Sequence, residues 1–380
     1  MKKLRIGITG QAGFVGTHLY NTLGLYPESY TRIPFEDAYF SDQSQLNTFV
    51  SQCDTIVHLA AMNRHNDPQV LYQTNIMLVE QLISACKQTN TTPHILFSSS
   101  TQEENDNLYG KSKREGRKLF EQWAVHTKAN FTAFVIPNVF GPFGNPHYNS
   151  VVATFCHQLT HNEIPHIDVD GEIKLIYISE LVDYFIKKIN DHREIQQEKP
   201  YETSCVLHTS EIKVSALLQK LTSFKENYFD KGIIPNLDTS FDLNLFNTFL
   251  CYIDHSTFFP FKLKLNTDDR GSFAEVVKLH SGGQISFSTT VPGVTRGNHF
   301  HTRKAERFAV IKGKARIELR KIGTDKVLTF DLDGEQPSFV DMPIWHTHNI
   351  TNTGTQELYT IFWINEHYDA NDADTFFEEV

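Results

Sequence analysis

From Leu4 to Ile136 the chain alternates short apolar runs with longer amphipathic segments. The runs LRIGIT (4–9), TIVHLAA (55–61), HILFSS (94–99) and FTAFVI (131–136) predict buried strands. The segments near 14–23, 69–88 and 108–127 carry apolar residues at helical spacing. Strands alternating with helices of this length predict βαβ units and a parallel sheet. Further helical pieces, VSALLQKL and NLFNTFL, fall within 212–250. After about residue 255 the texture changes to short β-rich runs at 272–279, 284–290, 306–311, 314–320, 327–332, 337–341 and 356–364, separated by Gly, Pro, Asn and Asp. That pattern predicts an all-β sandwich or barrel. A chain of 380 residues exceeds what one core serves. The expected division is 1–250 and 255–380, with the boundary between 245 and 262.

Charge narrows the partners. Lys and Arg number 35 against 45 Asp and Glu, a net charge of −10. No basic run offers a track for a phosphate backbone, which excludes nucleic acid as an expected partner. The five cysteines (53, 86, 156, 205, 251) show no CxxC spacing. An odd, dispersed set fits a reducing compartment. No apolar run approaches the roughly 18 residues of a membrane span, and MKKLRIGITG is too short and broken for a signal peptide. The expectation is a cytoplasmic protein without a membrane partner.

Candidate chemistry begins at Gly10-Gln-Ala-Gly13-Phe14-Val15-Gly16, between the first strand and the first helix. Such a loop needs one glycine for the turn, one for backbone approach to a pyrophosphate and one for helix–strand packing. The helix N-terminus then faces the phosphates. At the second-strand position, where an acid would hold the ribose of NAD, stands Arg32. It reads either as a partner for the 2′-phosphate of NADPH or as a solvated arginine. Tyr109 and Lys113 lie four apart on one helix face. A phenol of pKa near 10 needs a neighbouring cation to move a proton at neutrality, which Lys113 would supply. Upstream, Ser98-Ser99-Ser100 ends a strand, where hydroxyls could hold a substrate carbonyl.

GQAGFVG, VHLAA (57–61), Asn75, FSSS, YGKSK and PNVFGPFG (137–144) together resemble the extended short-chain dehydrogenase/reductases. The resemblance implies a Rossmann-type α/β domain acting on nucleotide-linked sugars. It makes Ser100 the catalytic hydroxyl, Tyr109 the acid/base and Lys113 its partner. It places Gly10, Gly13, Phe14, Val15, Gly16, Leu59, Ala60 and Ala61 against the cofactor and Asn138 against the substrate. The nine-residue separation of Ser100 and Tyr109 is much shorter than that family's usual loop, which implies a more open site.

In the second half, His299 and His301 stand two apart, the spacing that puts both on one face of a strand. Glu306 and His348 complete a set of three imidazoles and one carboxylate. That set suits a divalent metal, zinc being the expected one, although the ligand types admit Zn, Mn, Fe or Ni. Gly293, His299-x-His301, Glu306 and Gly313 resemble the first cupin motif, and Pro343-Ile-Trp-His-Thr-His348-x-x-x-Asn352 the second. Trp345 stands where cupins carry Gly, which would narrow the pocket mouth, and His346 has no assigned role. Asp269-Arg270-Gly271-Ser-Phe273-Ala-Glu275 and Val294-Thr-Arg296-Gly297-Asn-His299 resemble the dTDP-4-keto-sugar 3,5-epimerases. That likeness implies substrate contacts by Arg270, Phe273, Glu275 and Arg296. It also implies that His299 is a general base, a role it cannot hold while ligating a metal.

The whole chain resembles bacterial capsular-polysaccharide enzymes that act as UDP-2-acetamido-2,6-dideoxy-hexos-4-ulose epimerase/reductases and pair as dimers. The resemblance implies a UDP-sugar substrate, C3 epimerisation by a metal-binding cupin (255–380) and C4 reduction with NADPH by the first domain (1–250), towards UDP-N-acetyl-L-fucosamine for capsule or O-antigen. The alternative is a reductase whose metal-bound cupin serves only dimerisation and substrate binding.

Overall fold

The structure, a computed structural model, describes residues 3–191, 200–269 and 271–380. It divides into two compact units, 1–151 with 171–213 and 152–170 with 214–380.

In the first unit the strands β1 (Leu4–Thr9), β2 (Tyr30–Ile33), β3 (Thr55–His58), β4 (His94–Ser100) and β5 (Phe131–Ile136) pair in parallel, joined at the far edge by Tyr201–Cys205. The helices α1 (Phe14–Gly24), α2 (Gln43–Gln52), α3 (Pro68–Thr89) and α4 (Leu108–Thr127) lie among them in the chain. The order β2-β1-β3-β4-β5 reverses direction between β1 and β3. Ligands of open parallel sheets bind in the crevice at such a reversal, beyond the carboxyl ends of the strands. Val57, Ile56, Ile95 and Phe131 are buried, the continuous apolar run expected of strands covered on both faces. Leu46, Phe49, Val79, Leu82, Phe97, Phe120 and Trp123 pack one helical layer onto the sheet.

The second unit holds two five-stranded antiparallel sheets. One runs Phe261–Lys262, Ser338–Met342, Glu306–Lys312, Leu358–Ile364, Gln284–Thr290. The other runs Val327–Asp333, Lys314–Lys321, His346–Asn352, Thr295–Phe300, Phe376–Phe377. Val310, Ile317, Leu319, Phe339, Val340 and Leu358 fill the space between them. The architecture is thus a Rossmann-type domain plus a cupin-like β-rich domain, as the residue pattern and motifs predict.

The compact units divide differently from the change of texture. Helices Val214–Phe224 and Ser240–Leu250 precede the textural boundary yet belong with the barrel. Long-range polar contacts explain this. Arg307, 1% exposed, forms a bidentate pair with Asp341 at 2.8 and 2.9 Å and donates to the Gly232 carbonyl at 2.8 Å. The buried Tyr228 hydroxyl donates to the same carboxylate. Asn247 donates to the Arg303 carbonyl at 3.1 Å. Among the described residues no helix is long and apolar enough to cross a membrane.

Breaking one side of a buried ion pair strands the other charge and costs about 3–5 kcal/mol, whereas an apolar replacement of both is often tolerated. Asp341→Ala should therefore lower the denaturation midpoint of the barrel unit sharply, and the double variant Arg307→Met, Asp341→Leu should recover most of the loss. An Asp341→Ala protein that unfolds with the wild type would show that this pair does not hold the helices to the barrel.

Candidate functional site

The glycine loop sits at the reversal point. Gly10 has φ +70°, and a Cβ there would lie 2.9 Å from the Ala60 backbone nitrogen. The chain leaving β3 therefore crosses directly over the chain leaving β1, and Leu59 N–H donates to the Thr9 carbonyl at 3.2 Å. A Cβ on Gly16 would lie 2.2 Å from the Gly10 carbonyl oxygen, so glycine lets α1 pack against the turn. Gly13 caps α1 without a side-chain bond to the first-turn N–H groups, which leaves that positive helix end to an anion.

Lys113 is buried and its ammonium donates to the Ser98 carbonyl at 2.9 Å. Burial pulls its pKa down to about 8. Its nitrogen lies 5.8 Å from the Tyr109 ring centre. The structure differs from the sequence reading in one respect. Burial, together with the neighbouring phenol of Tyr148, pushes Tyr109 up to about 12 rather than toward neutrality. A group so placed stays protonated at neutral pH, which suits a proton donor. Asn75, buried, binds both backbone groups of Met62, accepting at 2.7 Å and donating at 3.0 Å, and donates to Ser112 at 3.0 Å. It ties the loop after β3 to the helix that carries Tyr109 and Lys113.

The short path from Ser100 to Tyr109 is a single helical turn, Thr101–Glu104, with Ser100 as its cap. Glu103 holds it down, paired to Arg117 at 2.8 Å and bonded by Ser99. Gly110 is required by this tight path, because a Cβ there would meet the Gln102 carbonyl at 1.9 Å. Of the three serines, Ser99 is committed to Glu103 and Ser98 to the His58 carbonyl. The Ser100 hydroxyl is half-buried and accepts from Gln102 N–H at 3.2 Å.

In the barrel His299, His301, Glu306 and His348 converge, with ligating atoms all within 4.8 Å of one another. Glu306 Oε2 lies 2.9 Å from His348 Nε2, 3.2 Å from His301 Nε2 and 3.9 Å from His299 Nε2. The first three of these atoms are buried and have no hydrogen-bond partner. The other ring nitrogens are spent: His301 Nδ1 faces the Asp374 carbonyl and His348 Nδ1 the His346 carbonyl at 3.2 Å. A carbonyl only accepts, so each Nδ1 carries a proton, and Nε2 is the nitrogen that faces the Glu306 carboxylate. Two buried imidazole nitrogens and a buried carboxylate oxygen without hydrogen-bond partners, with the His299 imidazole beside them, are the donor types of a metal site. The donor set therefore fits a divalent metal. Burial, then the neighbouring His348, pushes His299 down to about 4, which favours its neutral, ligating form.

The sequence matches the NAD dependent epimerase/dehydratase family over residues 6–203 and the polysaccharide biosynthesis C-terminal domain over residues 266–376. It is 33% identical over 383 residues, 98% of each chain, to UDP-2-acetamido-2,6-beta-L-arabino-hexul-4-ose reductase of Pseudomonas aeruginosa. It resembles the crystal structure of the capsular polysaccharide assembling protein CapF from Staphylococcus aureus with a TM-score of 0.62 and 32% identity, over 99% of this chain and 100% of that one. Over 123 residues, 30% of this chain and 82% of that one, it is 28% identical to the spore coat polysaccharide biosynthesis protein SpsL of Bacillus subtilis. The chain belongs to the NAD dependent epimerase/dehydratase family. Within it the chain is of the CapF type, in a nucleotide-sugar reductase/epimerase family of polysaccharide biosynthesis.

Other predicted residues of this CapF-type enzyme lie apart from these clusters. Arg32 pairs in register with Ile6, three residues short of Thr9, and its guanidinium stacks 4.2 Å from the Tyr20 ring centre. It also donates to the Tyr20 carbonyl at 3.1 Å, beside the body of α1 rather than its N-terminus. Asn138 is exposed and its amide reaches the Lys174 carbonyl at 3.4 Å. Phe273, 64% exposed, and Glu275, paired to Lys278, lie on or just after the ribbon of Leu265–Asp268 and Gly271–Ala274. Arg296 is exposed and bonds Thr290 and the Thr289 carbonyl, both at 3.1 Å. Arg270 lies outside the described residues. Trp345 is buried against Phe300 at 5.6 Å. Phe300 alternates with His299, so Trp345 packs on the face of the strand opposite His299. Tyr148 and Asp374 escaped the sequence reading, since neither belongs to a motif.

Gly16→Ala tests the loop. The added methyl cannot fit beside the Gly10 carbonyl, so dinucleotide affinity measured by calorimetry should collapse while far-UV circular dichroism stays unchanged. Affinity equal to wild type would show that α1 does not need this approach.

Proposed function

We propose that the chain converts a UDP-linked 2-acetamido-2,6-dideoxy-4-keto hexose, epimerising C3 in the barrel and reducing C4 with NADPH in the first unit, towards UDP-N-acetyl-L-fucosamine. The substrate class is carried over from the named P. aeruginosa reductase. The observation that carries the reading is the pairing of Tyr109 and buried Lys113 at the crevice unit with a three-histidine, one-carboxylate cluster in the other.

For reduction, bound NADPH supplies a hydride to the C4 carbonyl carbon. Ser100 positions the carbonyl oxygen, and Tyr109 gives that oxygen its phenolic proton, which leaves an alcohol. Lys113 stabilises the phenolate that remains and holds the ribose side of the cofactor. The loops at Gly10–Gly16 and Leu59–Ala61 cradle the dinucleotide. For epimerisation, His299, His301, Glu306 and His348 would hold a zinc ion, which when bound polarises an oxygen ligand as a Lewis acid. Arg270, Phe273, Glu275 and Arg296 are proposed to contact the sugar. A homodimer in the cytoplasm is the proposed setting. The rival reading, a barrel that binds without catalysis, draws on one observation: His299 belongs to the ligand cluster and so is not free to act as base.

Solvent deuterium separates the two. The wild-type protein given the UDP-4-keto sugar in D2O without NADPH should incorporate deuterium at C3, read by mass spectrometry, and His348→Ala should abolish this. Incorporation that persists in His348→Ala would remove the barrel from the chemistry. Tyr109→Phe should retain NADPH binding while kcat for reduction falls by roughly 10²–10⁴, the usual worth of a positioned acid. Undiminished turnover in that variant would end the role assigned to Tyr109.

A further inference from the structure

We propose that the C-terminal segment from Asp374 to Glu379 is a strap that positions the histidine cluster, with Asp374 as its principal positioning residue. The proposal rests on the reading of His299, His301, Glu306 and His348 as metal ligands.

The strand Thr295–Phe300, which carries His299, has one long neighbour, His346–Asn352. Among the described residues its other edge is completed by Phe376–Phe377 alone, with Phe377 opposite His299 and Phe376 opposite Phe300. Without that pairing the ligand strand would be a free edge. The strap is fastened along its length. Phe376 stacks on Phe300 at 5.4 Å, and Glu378 N–H donates to the Asn298 carbonyl at 3.0 Å. Thr347, one residue before His348, donates through its hydroxyl to the Glu378 carbonyl. Arg320 donates to the Glu378 carboxylate at 2.9 Å and the Glu379 carbonyl at 2.6 Å.

Asp374 acts at the opposite end, on the loop between His301 and Glu306. It is 7% exposed. Its carboxylate accepts from Thr302 N–H at 3.2 Å, the Thr302 hydroxyl at 2.6 Å, Arg303 N–H at 3.0 Å and Lys304 N–H at 3.2 Å. Consecutive backbone N–H groups around one anion form a nest, and bonds to an ionised acceptor are about twice as strong as neutral ones. The same residue's carbonyl accepts from His301 Nδ1. One residue thus sets both the loop that spaces two ligands and the tautomer of one of them. Its φ of +43° lies in the left-handed region, where Asp is among the few tolerated side chains.

The test uses the full-length protein and metal alone, so it does not depend on the proposed catalysis. Zinc affinity is measured by competition with a chromophoric chelator, and ligand geometry by the visible absorption of the cobalt(II)-loaded protein. Asp374→Ala should weaken zinc binding roughly 10–100-fold, the usual effect of losing a group that orients a ligand, and shift the cobalt spectrum. Asp374→Asn keeps one side-chain acceptor but loses the charge and the second acceptor, and should fall between Asp374→Ala and wild type in both readouts. If the alanine variant fails to fold, Asp374→Gly, which keeps the left-handed backbone without strain, takes its place. Zinc affinity and a cobalt spectrum equal to wild type in Asp374→Ala or Asp374→Gly would overturn the strap's role. A wild-type protein that takes up neither ion would instead sink the ligand reading, and the strap proposal with it.

Discussion

The arrangement of the barrel interior follows from three buried atoms that face one another without a hydrogen bond: Nε2 of His301, Nε2 of His348 and Oε2 of Glu306. In water each would be solvated; inside the barrel each needs a partner or costs roughly 1–3 kcal/mol. Such a cluster persists only if its surroundings fix it. The surroundings do so by using up both Nδ1 atoms on carbonyls and by filling the nearby core with Ile317, Leu319 and Ile350. Geometry that is unfavourable for an empty protein is what a cation site requires, since the ion then meets ligands already oriented.

The first unit shows the same economy of atoms by different means. Its crevice depends on close backbone approaches that no side chain permits: Gly10 under Ala60, Gly16 against the Gly10 carbonyl, Gly110 against Gln102. The last of these is tied to the shortness of the 101–104 turn. Only glycine at 110 lets that turn lie on the first residues of α4, and the Glu103–Arg117 pair fixes it there. The shortened loop is therefore a packed element, and Ser100 and Tyr109 flank it.

The elements of the first unit were legible because buried parallel strands and amphipathic helices announce themselves by apolar period. The runs 4–9, 94–99 and 131–136 match observed strands to within a residue. The run 55–61 is strand only to His58, since beyond it the chain must cross Gly10. In the barrel the strands TRGNHF and HTHNITN, which carry His299 and His348, have no apolar alternation and do not appear among the β-rich runs. The face of HTHNITN that carries His348 also holds His346, Ile350 and Asn352, one apolar residue among four, so the chemistry that marks the site also hides the strand. Of the run 272–279 only the part up to Ala274 is strand. Arg307 reads as an outward charge, yet it is buried on Asp341, a partner 34 residues away. Asp374 reads as one of several acids in a polar tail, and its contacts lie some seventy residues back. Pairings at that separation leave no local periodicity to read.

The order of the two proposed reactions follows from the substrate. A carbonyl at C4 acidifies the neighbouring C3–H bond, because the charge left by proton removal spreads onto oxygen. Once hydride and proton have been added at C4, that stabilisation is gone and C3 is fixed. Epimerisation must therefore precede reduction, and a reductase that acts too early traps the wrong epimer. On the proposed assignment Tyr109, which burial keeps protonated, would donate at any time and supply no timing of its own. On the proposed assignment one chain would carry both activities at a ratio of one to one, so the reductase would never be made in excess of the epimerase.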